Sequence, residues 1–200
     1  MSKRLSPRIS LIIIAAMFLL PLLLAWFMYT GAIEYKPGTT RNLGQLVEPP
    51  VPMSWSSISI LGLTGDGPQP AEQDLAEHWV VLKSVPSDCA GACVDEVTEL
   101  RQVHRAAGRN MSRIRIALLL PEVTPASAAT RLQEIYPEFR LITSQDGTLE
   151  DAMARSANGA AATYLIDPLG NIMMVYKTGA DPNDLKKDLK RLLTWSKLDE

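Results

Sequence analysis

From Ile9 to Tyr29 the chain reads ISLIIIAAMFLLPLLLAWFMY, 21 consecutive residues without a charge, and that run limits what the other residues can become. At about 1.5 Å per residue it covers the roughly 30 Å of a bilayer's hydrocarbon, so a transmembrane helix is expected. Pro21 lies inside it, which membrane helices tolerate, and Trp26 and Tyr29 fall where an aromatic interface belt belongs. Lys3, Arg4 and Arg8 precede the run with no acidic residue among them, which holds the N-terminus in the cytoplasm and exports the bulk of the chain. A cleaved signal peptide carries an apolar core of about 7–15 residues and a small-x-small site. This run is longer and Thr30-Gly31-Ala32 is a weak site, so retention as an anchor is expected.

In a chain of 200 residues, that anchor leaves room for one compact domain of roughly 150 residues. The whole chain has 20 Lys and Arg against 22 Asp and Glu, and three of the basic residues precede the anchor, so the exported part is mildly acidic. It has no block of like charges and no basic stripe interleaved with aromatics, which excludes nucleic acid as the expected partner.

Four segments follow from these patterns. Residues 1–8 form a cytoplasmic N-terminus and 9–30 the transmembrane helix; 31–75, rich in Pro and Gly, read as a tether with a short hairpin around Ser57–Leu63; 76–200 form the domain. Within the domain the run Trp79–Val85 reads as a buried strand, Ala92–Ala107 as a helix stopped by Gly108, and Arg113–Leu120 as a second strand. Strand, helix, strand implies a right-handed parallel unit. A helix follows over Thr124–Tyr136 with Thr124 as N-cap, then a strand over Phe139–Thr143 and a helix over Thr148–Ser156. Thr163–Asp167 and Ile172–Tyr176 read as a hairpin closed through Pro168-Leu169-Gly170-Asn171, and Pro182–Trp195 as a final helix.

The only two cysteines stand together as Asp88-Cys89-Ala90-Gly91-Ala92-Cys93, between the first strand and the first helix of the domain. That junction puts both sulfurs near the positive end of a helix, where thiolates are stabilised. Cys89 and Cys93 are therefore the candidate catalytic and metal-ligating residues.

The order of elements, together with Trp79–Leu82, Cys89-x-x-x-Cys93 and Tyr164-Leu165-Ile166-Asp167-Pro168-x-Gly170, resembles a thioredoxin-like α/β fold. More narrowly it resembles the Sco family, membrane-anchored copper chaperones for cytochrome c oxidase. The likeness covers about residues 75–195 and the anchor. It implies a bacterial inner-membrane protein with its domain in the periplasm, Cu(I) as a possible cargo, and as partner the oxidase subunit that carries the binuclear copper site. The sequence departs from the family where a copper-binding histidine precedes the Tyr-Leu-Ile-Asp-Pro strand: here the stretch is Ser156-Ala157-Asn158-Gly159-Ala160-Ala161-Ala162. The prolines usual in the cysteine loop are replaced by Ala90, Gly91 and Ala92, and no proline directly precedes Thr163.

Three chemistries stay open. Two thiolates at i and i+4 share one helical face and suit Cu(I), which accepts low coordination numbers, whereas Cu(II) wants a nitrogen ligand as well. Only His78 and His104 exist to supply one; both are expected to be surface residues away from the pair, and Met173 and Met174 to be core filler. Thiol–disulfide exchange is the second reading, with the oxidase cysteine pair or periplasmic proteins in general as targets. A metal-free assembly module with a structural disulfide is the third, although so short a loop stabilises little. Glu96 and Glu99 are expected on a solvated helix face and Asp88 as a cap.

Overall fold

The computed structural model describes residues 6–30, 41–62, 67–157 and 161–196. Lys3 and Arg4, residues 31–40 of the expected tether and Leu63 of the expected hairpin lie outside the described residues. The chain divides into two units, Met1–Arg41 and Asn42–Glu200.

In the first unit, α1 (Pro7–Tyr29) begins after Ser6 and carries Pro21 inside it. At its end the Thr30 hydroxyl donates to the carbonyls of Trp26 and Phe27. Leu11, Phe18, Leu22 and Trp26 stand exposed, and none of its residues is buried. A helix apolar on every side suits hydrocarbon rather than a protein core, and α1 is long and apolar enough to cross a membrane.

The second unit is one mixed sheet of eight strands in the order β1-β8-β7-β4-β5-β6-β2-β3. Its strands are β1 (Gln45–Pro52), β2 (Ile58–Ile60), β3 (Gln69–Pro70), β4 (Trp79–Ser84), β5 (Ile114–Leu119), β6 (Phe139–Ser144), β7 (Ala161–Ile166) and β8 (Asn171–Lys177). Its helices are α2 (Glu72–Leu75), α3 (Ala92–Ala106), α4 (Ala126–Ile135), α5 (Thr148–Ser156) and α6 (Pro182–Trp195). β4, β5 and β6 run parallel, as expected for strands joined by α3 and α4, while β7 is antiparallel to β4 and β8 to β7. The near-continuous apolar runs of β4 and β5 reflect burial on both faces. Val81, Ile116, Leu118 and Leu165 face one core with Val97, Leu132 and Leu189 of α3, α4 and α6. Val80, Leu82, Ala117 and Ile166 face the other with Leu75 of α2 and Leu149 of α5.

The largest departure from expectation lies before β4. The stretch read as tether supplies β1, paired antiparallel with β8, and β2, which pairs with β6 as well as with β3. Pro49, Pro50 and Pro52 lack donors, yet β1 is an edge strand whose register shifts between Leu46 and Val51, and edges and bulges are where a sheet admits proline. β1 is fastened by Asp188 of α6, only 2% exposed, whose carboxylate accepts from the backbone N–H groups of Leu43 and Gly44 at 2.9 Å and from the Tyr176 hydroxyl at 3.1 Å. A Cβ on Gly44 would meet Tyr176 and the Met174 sulfur at 2.7 Å, so only glycine lets the chain come this close. Burial, with the Asp188 carboxylate beside it, pushes the Tyr176 hydroxyl far above the usual tyrosine range.

At the turns, one expectation is corrected and one is met. α4 starts at Ala126 with Pro125 as its N-cap, while the Thr124 hydroxyl donates to the carbonyl of Pro121 behind it. The β7–β8 hairpin forms as read: the Asp167 carboxylate accepts from the N–H groups of Leu169 and Asn171, and Gly170 takes a φ of 84°.

Candidate functional site

β4 ends at Ser84, and the Val85 N–H continues its ladder to the Leu119 carbonyl before the chain leaves the sheet at Pro86. The loop turns back with the Cys89 N–H donating to the Pro86 carbonyl at 3.2 Å. Gly91, at a φ of 55°, caps α3 from the left-handed region, and the Val94 N–H donates to its carbonyl at 2.9 Å. The cap is therefore backbone geometry. Asp88, expected as the cap, is exposed and makes no such bond.

Cys89 and Cys93 are joined as a disulfide with Cα atoms 5.3 Å apart, so the pair comes together as the spacing requires. The two sulfurs do not share one environment. Cys89 is 2% exposed and belongs to the core cluster with Val85, Val97 and Leu100, whereas Cys93, in the first turn of α3, is half-buried and packs against the edge of that cluster. Ala90, Gly91 and Ala92 between them are exposed.

The charges beside the pair differ from expectation. Lys83 on β4 is 5% exposed, and its ammonium meets the Glu96 carboxylate at 2.7 Å. Glu96 follows Cys93 by three residues, so it lies one helical turn further along the same side of α3. It is thus a partner to a buried cation rather than a solvated position, while Glu99 is exposed as expected. A small cavity of about 70 Å³ opens next to this ion pair, lined also by Thr163, Tyr176, Lys177 and Asp181. Sequence reading missed Lys83; the signal was a lysine inside the otherwise apolar run Trp79–Val85, on a strand position facing the same side as Val81.

His104 is corrected as well: it is buried, 4% exposed, not a surface residue. Its Nε2–H donates to the carbonyls of Met111 and Ile114 at 3.2 Å, which leaves Nδ1 to accept from the Tyr136 hydroxyl at 2.9 Å. Both ring nitrogens are in use, so a metal would have to break these bonds. His78 is half-buried, with Nδ1 against the Ala76 carbonyl at 2.8 Å, and Met174 is buried in the core. Among the described residues no cluster of three or more His, Cys, Asp or Glu side chains is set to hold a metal ion. Two sulfurs are the soft donors that Cu(I) takes, and among the described residues neither His78 nor His104 stands ready to complete a Cu(II) site.

Burial, outweighing the two carbonyls, pulls the His104 imidazole below the usual histidine range. A group whose folded value is depressed is fully favourable to folding above its unfolded value of about 6.5, and that contribution drains away as the pH falls through it. Stability is therefore expected to drop as the pH goes from about 7.5 to about 5.5. His104→Gln, though less stable at pH 7.5, should lose much of that slope, measured by urea midpoints at each pH. Identical slopes for the two proteins would disprove the assignment.

Residues 79–196 match the family model described as "Transmembrane-like, thioredoxin-like, C-terminal domain". Among solved structures, the apo Sco1 protein of Thermus thermophilus is 16% identical and superposes with a TM-score of 0.57, covering 78% of this chain and 99% of that one. Yeast Sco1 with copper bound is 13% identical, with a TM-score of 0.53, and covers 78% of this chain and 96% of its own. The thioredoxin domain of a thiol-disulfide oxidoreductase from Bacteroides vulgatus is 15% identical, with a TM-score of 0.50, and covers 70% and 96%. At these identities the likeness establishes the fold. The search of curated proteins found no match.

Proposed function

We propose a function from one premise: this chain belongs to the family of transmembrane-like, thioredoxin-like C-terminal domains, a membership carried by residues 79–196. On that scaffold it acts as a membrane-anchored, Sco-like protein that exchanges electrons with the thiols of another protein through Cys89 and Cys93. The observation that carries this reading is the disulfide itself, set between β4 and α3 with Cys89 buried and Cys93 only half-buried. A bridge made only for stability gains most by closing a long loop, and this one closes fewer than two helical turns.

The finer assignment follows from the anchor and from the kinship in fold. Lys3 and Arg4 ahead of α1 and Arg8 in its first turn support an N-terminus in the cytoplasm of a bacterial inner membrane and a domain in the periplasm. The target is a cytochrome c oxidase subunit whose copper-site cysteines must be reduced before they accept metal. Exchange is favoured over copper carriage because the nitrogen ligand that would help retain copper is missing here: Ala and Gly stand before Thr163, and His104 is committed to Tyr136 and two carbonyls. Cu(I) as cargo keeps its own support, since the reduced pair offers two soft sulfurs one turn apart.

The test is the reduction potential of the full chain in detergent, read by trapping free thiols across a series of glutathione buffers. An exchangeable pair is expected to lie above about −300 mV. A value below that would identify a structural bridge and end the exchange reading. Anaerobic Cu(I) titration of the reduced protein against Cys89→Ser decides the cargo: one equivalent that depends on Cys89 supports it, and binding indifferent to the substitution removes it.

A further inference from the structure

Resting on the exchange reading, we propose that the two sulfurs have fixed and unequal parts: Cys93 is the sulfur that bonds to the partner protein, and Cys89 is the resolving sulfur that stays in the interior. Partner attack thus falls on the second cysteine of the motif and resolution on the first.

Access points this way. Cys89, at 2% exposure, is covered by the apolar cluster that includes Val85, Val97 and Leu100, and an attacking sulfur needs an open line along the S–S axis. Cys93 is half-buried at the rim. The neighbouring surface is Ala90, Gly91 and Ala92, all exposed, and a Cβ added at Gly91 would meet nothing within 4 Å. A partner's extended segment can therefore lie against the loop without displacing a large side chain.

Electrostatics points the same way. Cys93 is the second residue of a 15-residue helix, where the aligned backbone dipoles favour a thiolate. Cys89 lies before that helix, buried in the apolar cluster. Among the described charged groups near the pair in sequence, Asp88, Asp95 and Glu99 are exposed to solvent, and Glu96 is held by Lys83.

The steps balance. Starting from the reduced protein, the Cys93 thiolate attacks one sulfur of the partner's disulfide; that S–S bond breaks, the other partner sulfur leaves as a thiolate and takes up a proton, and a Cys93–partner mixed disulfide remains. Cys89 then gives up its proton and attacks the Cys93 Sγ, which expels the second partner sulfur to be protonated in turn. The Cys89–Cys93 bond is restored, the partner has gained two electrons and two protons, and the pair has lost them. In reverse, a partner thiolate attacks Cys93 Sγ and Cys89 is the leaving sulfur.

The test uses full-length Cys89→Ser and Cys93→Ser in detergent, each reduced with dithiothreitol, desalted and mixed with 5,5′-dithiobis(2-nitrobenzoic acid). Cys89→Ser, which keeps Cys93, is expected to react at least ~10-fold faster than Cys93→Ser under native conditions, and the two rates should converge in urea. Equal native rates, or a faster Cys93→Ser, would overturn the assignment. Should either variant fail to fold, the reduced wild-type chain treated with limiting iodoacetamide gives the same reading: label on the Cys93 peptide supports the proposal and label on the Cys89 peptide refutes it. The reduction potential judges the exchange reading independently, so an inert pair and a reversed order are distinguishable results.

Discussion

Asp188→Ala is expected to destabilise the second unit by about 3 kcal/mol, because it strips a buried carboxylate from several donors at once. The Leu43 and Gly44 N–H groups, the Tyr176 hydroxyl and the Arg191 guanidinium all converge on it. Tyr176, 5% exposed, cannot recover its loss in water, whereas Leu43 and Arg191 are exposed enough to do so. β1 meets α6 through this carboxylate, so the loss should appear first as exposure of the strand's backbone. Hydrogen exchange of the full chain in detergent is expected to show residues 45–47 losing protection before β4 and β5 do. Asp188→Asn keeps an acceptor but not the charge, and should recover part of the stability. A urea midpoint for Asp188→Ala within about 1 kcal/mol of wild type would show that the strand is held by its ladder to β8 alone.

Glu96→Gln is expected to cost about 3 kcal/mol, and Lys83→Met less than about 1 kcal/mol, although both break the same ion pair. The asymmetry comes from burial: the Lys83 side chain is 6% exposed and that of Glu96 36%. Removing the carboxylate leaves a buried ammonium without its anion. Removing the ammonium leaves a carboxylate that can reach water, and a methionine of similar length fills the space beneath α3. Chemical denaturation of the two variants in parallel checks this. The reverse order of costs would mean that Glu96, not Lys83, carries the desolvation. Because Glu96 stands one turn from Cys93, the same variants also report whether the first turn of α3 stays in place, through the rate at which Cys93 reacts.

How much could be read in advance depended on how local the cause was. α3, α5 and α6 each end within a residue of their expected bounds, because 3.6-residue spacing, Gly108 and Pro182 act within one or two turns. The β7–β8 hairpin was legible for the same reason, since Asp167 and Gly170 make the turn by themselves. β1 was not. Its prolines give a tether's local signal, and only pairing with β8 and the grip of Asp188, more than 140 residues away in the chain, turn that segment into a strand. His104 likewise looked like a surface residue until Tyr136 and the carbonyls of Met111 and Ile114 closed around it.

The sequence by itself determined that an apolar helix precedes a single thioredoxin-like domain and that its only two thiols meet where a strand gives way to a helix. Hydrophobic period, charge asymmetry and cysteine spacing are written residue by residue along the chain. Tertiary structure alone decided that Cys89 is buried while Cys93 is half-buried, that Glu96 answers a buried Lys83, and that the proline-rich stretch completes the sheet. Burial is a property of what packs around a residue, and for Cys89 that is a cluster drawn from β4, β5, α3 and α6, which no window of neighbouring residues contains.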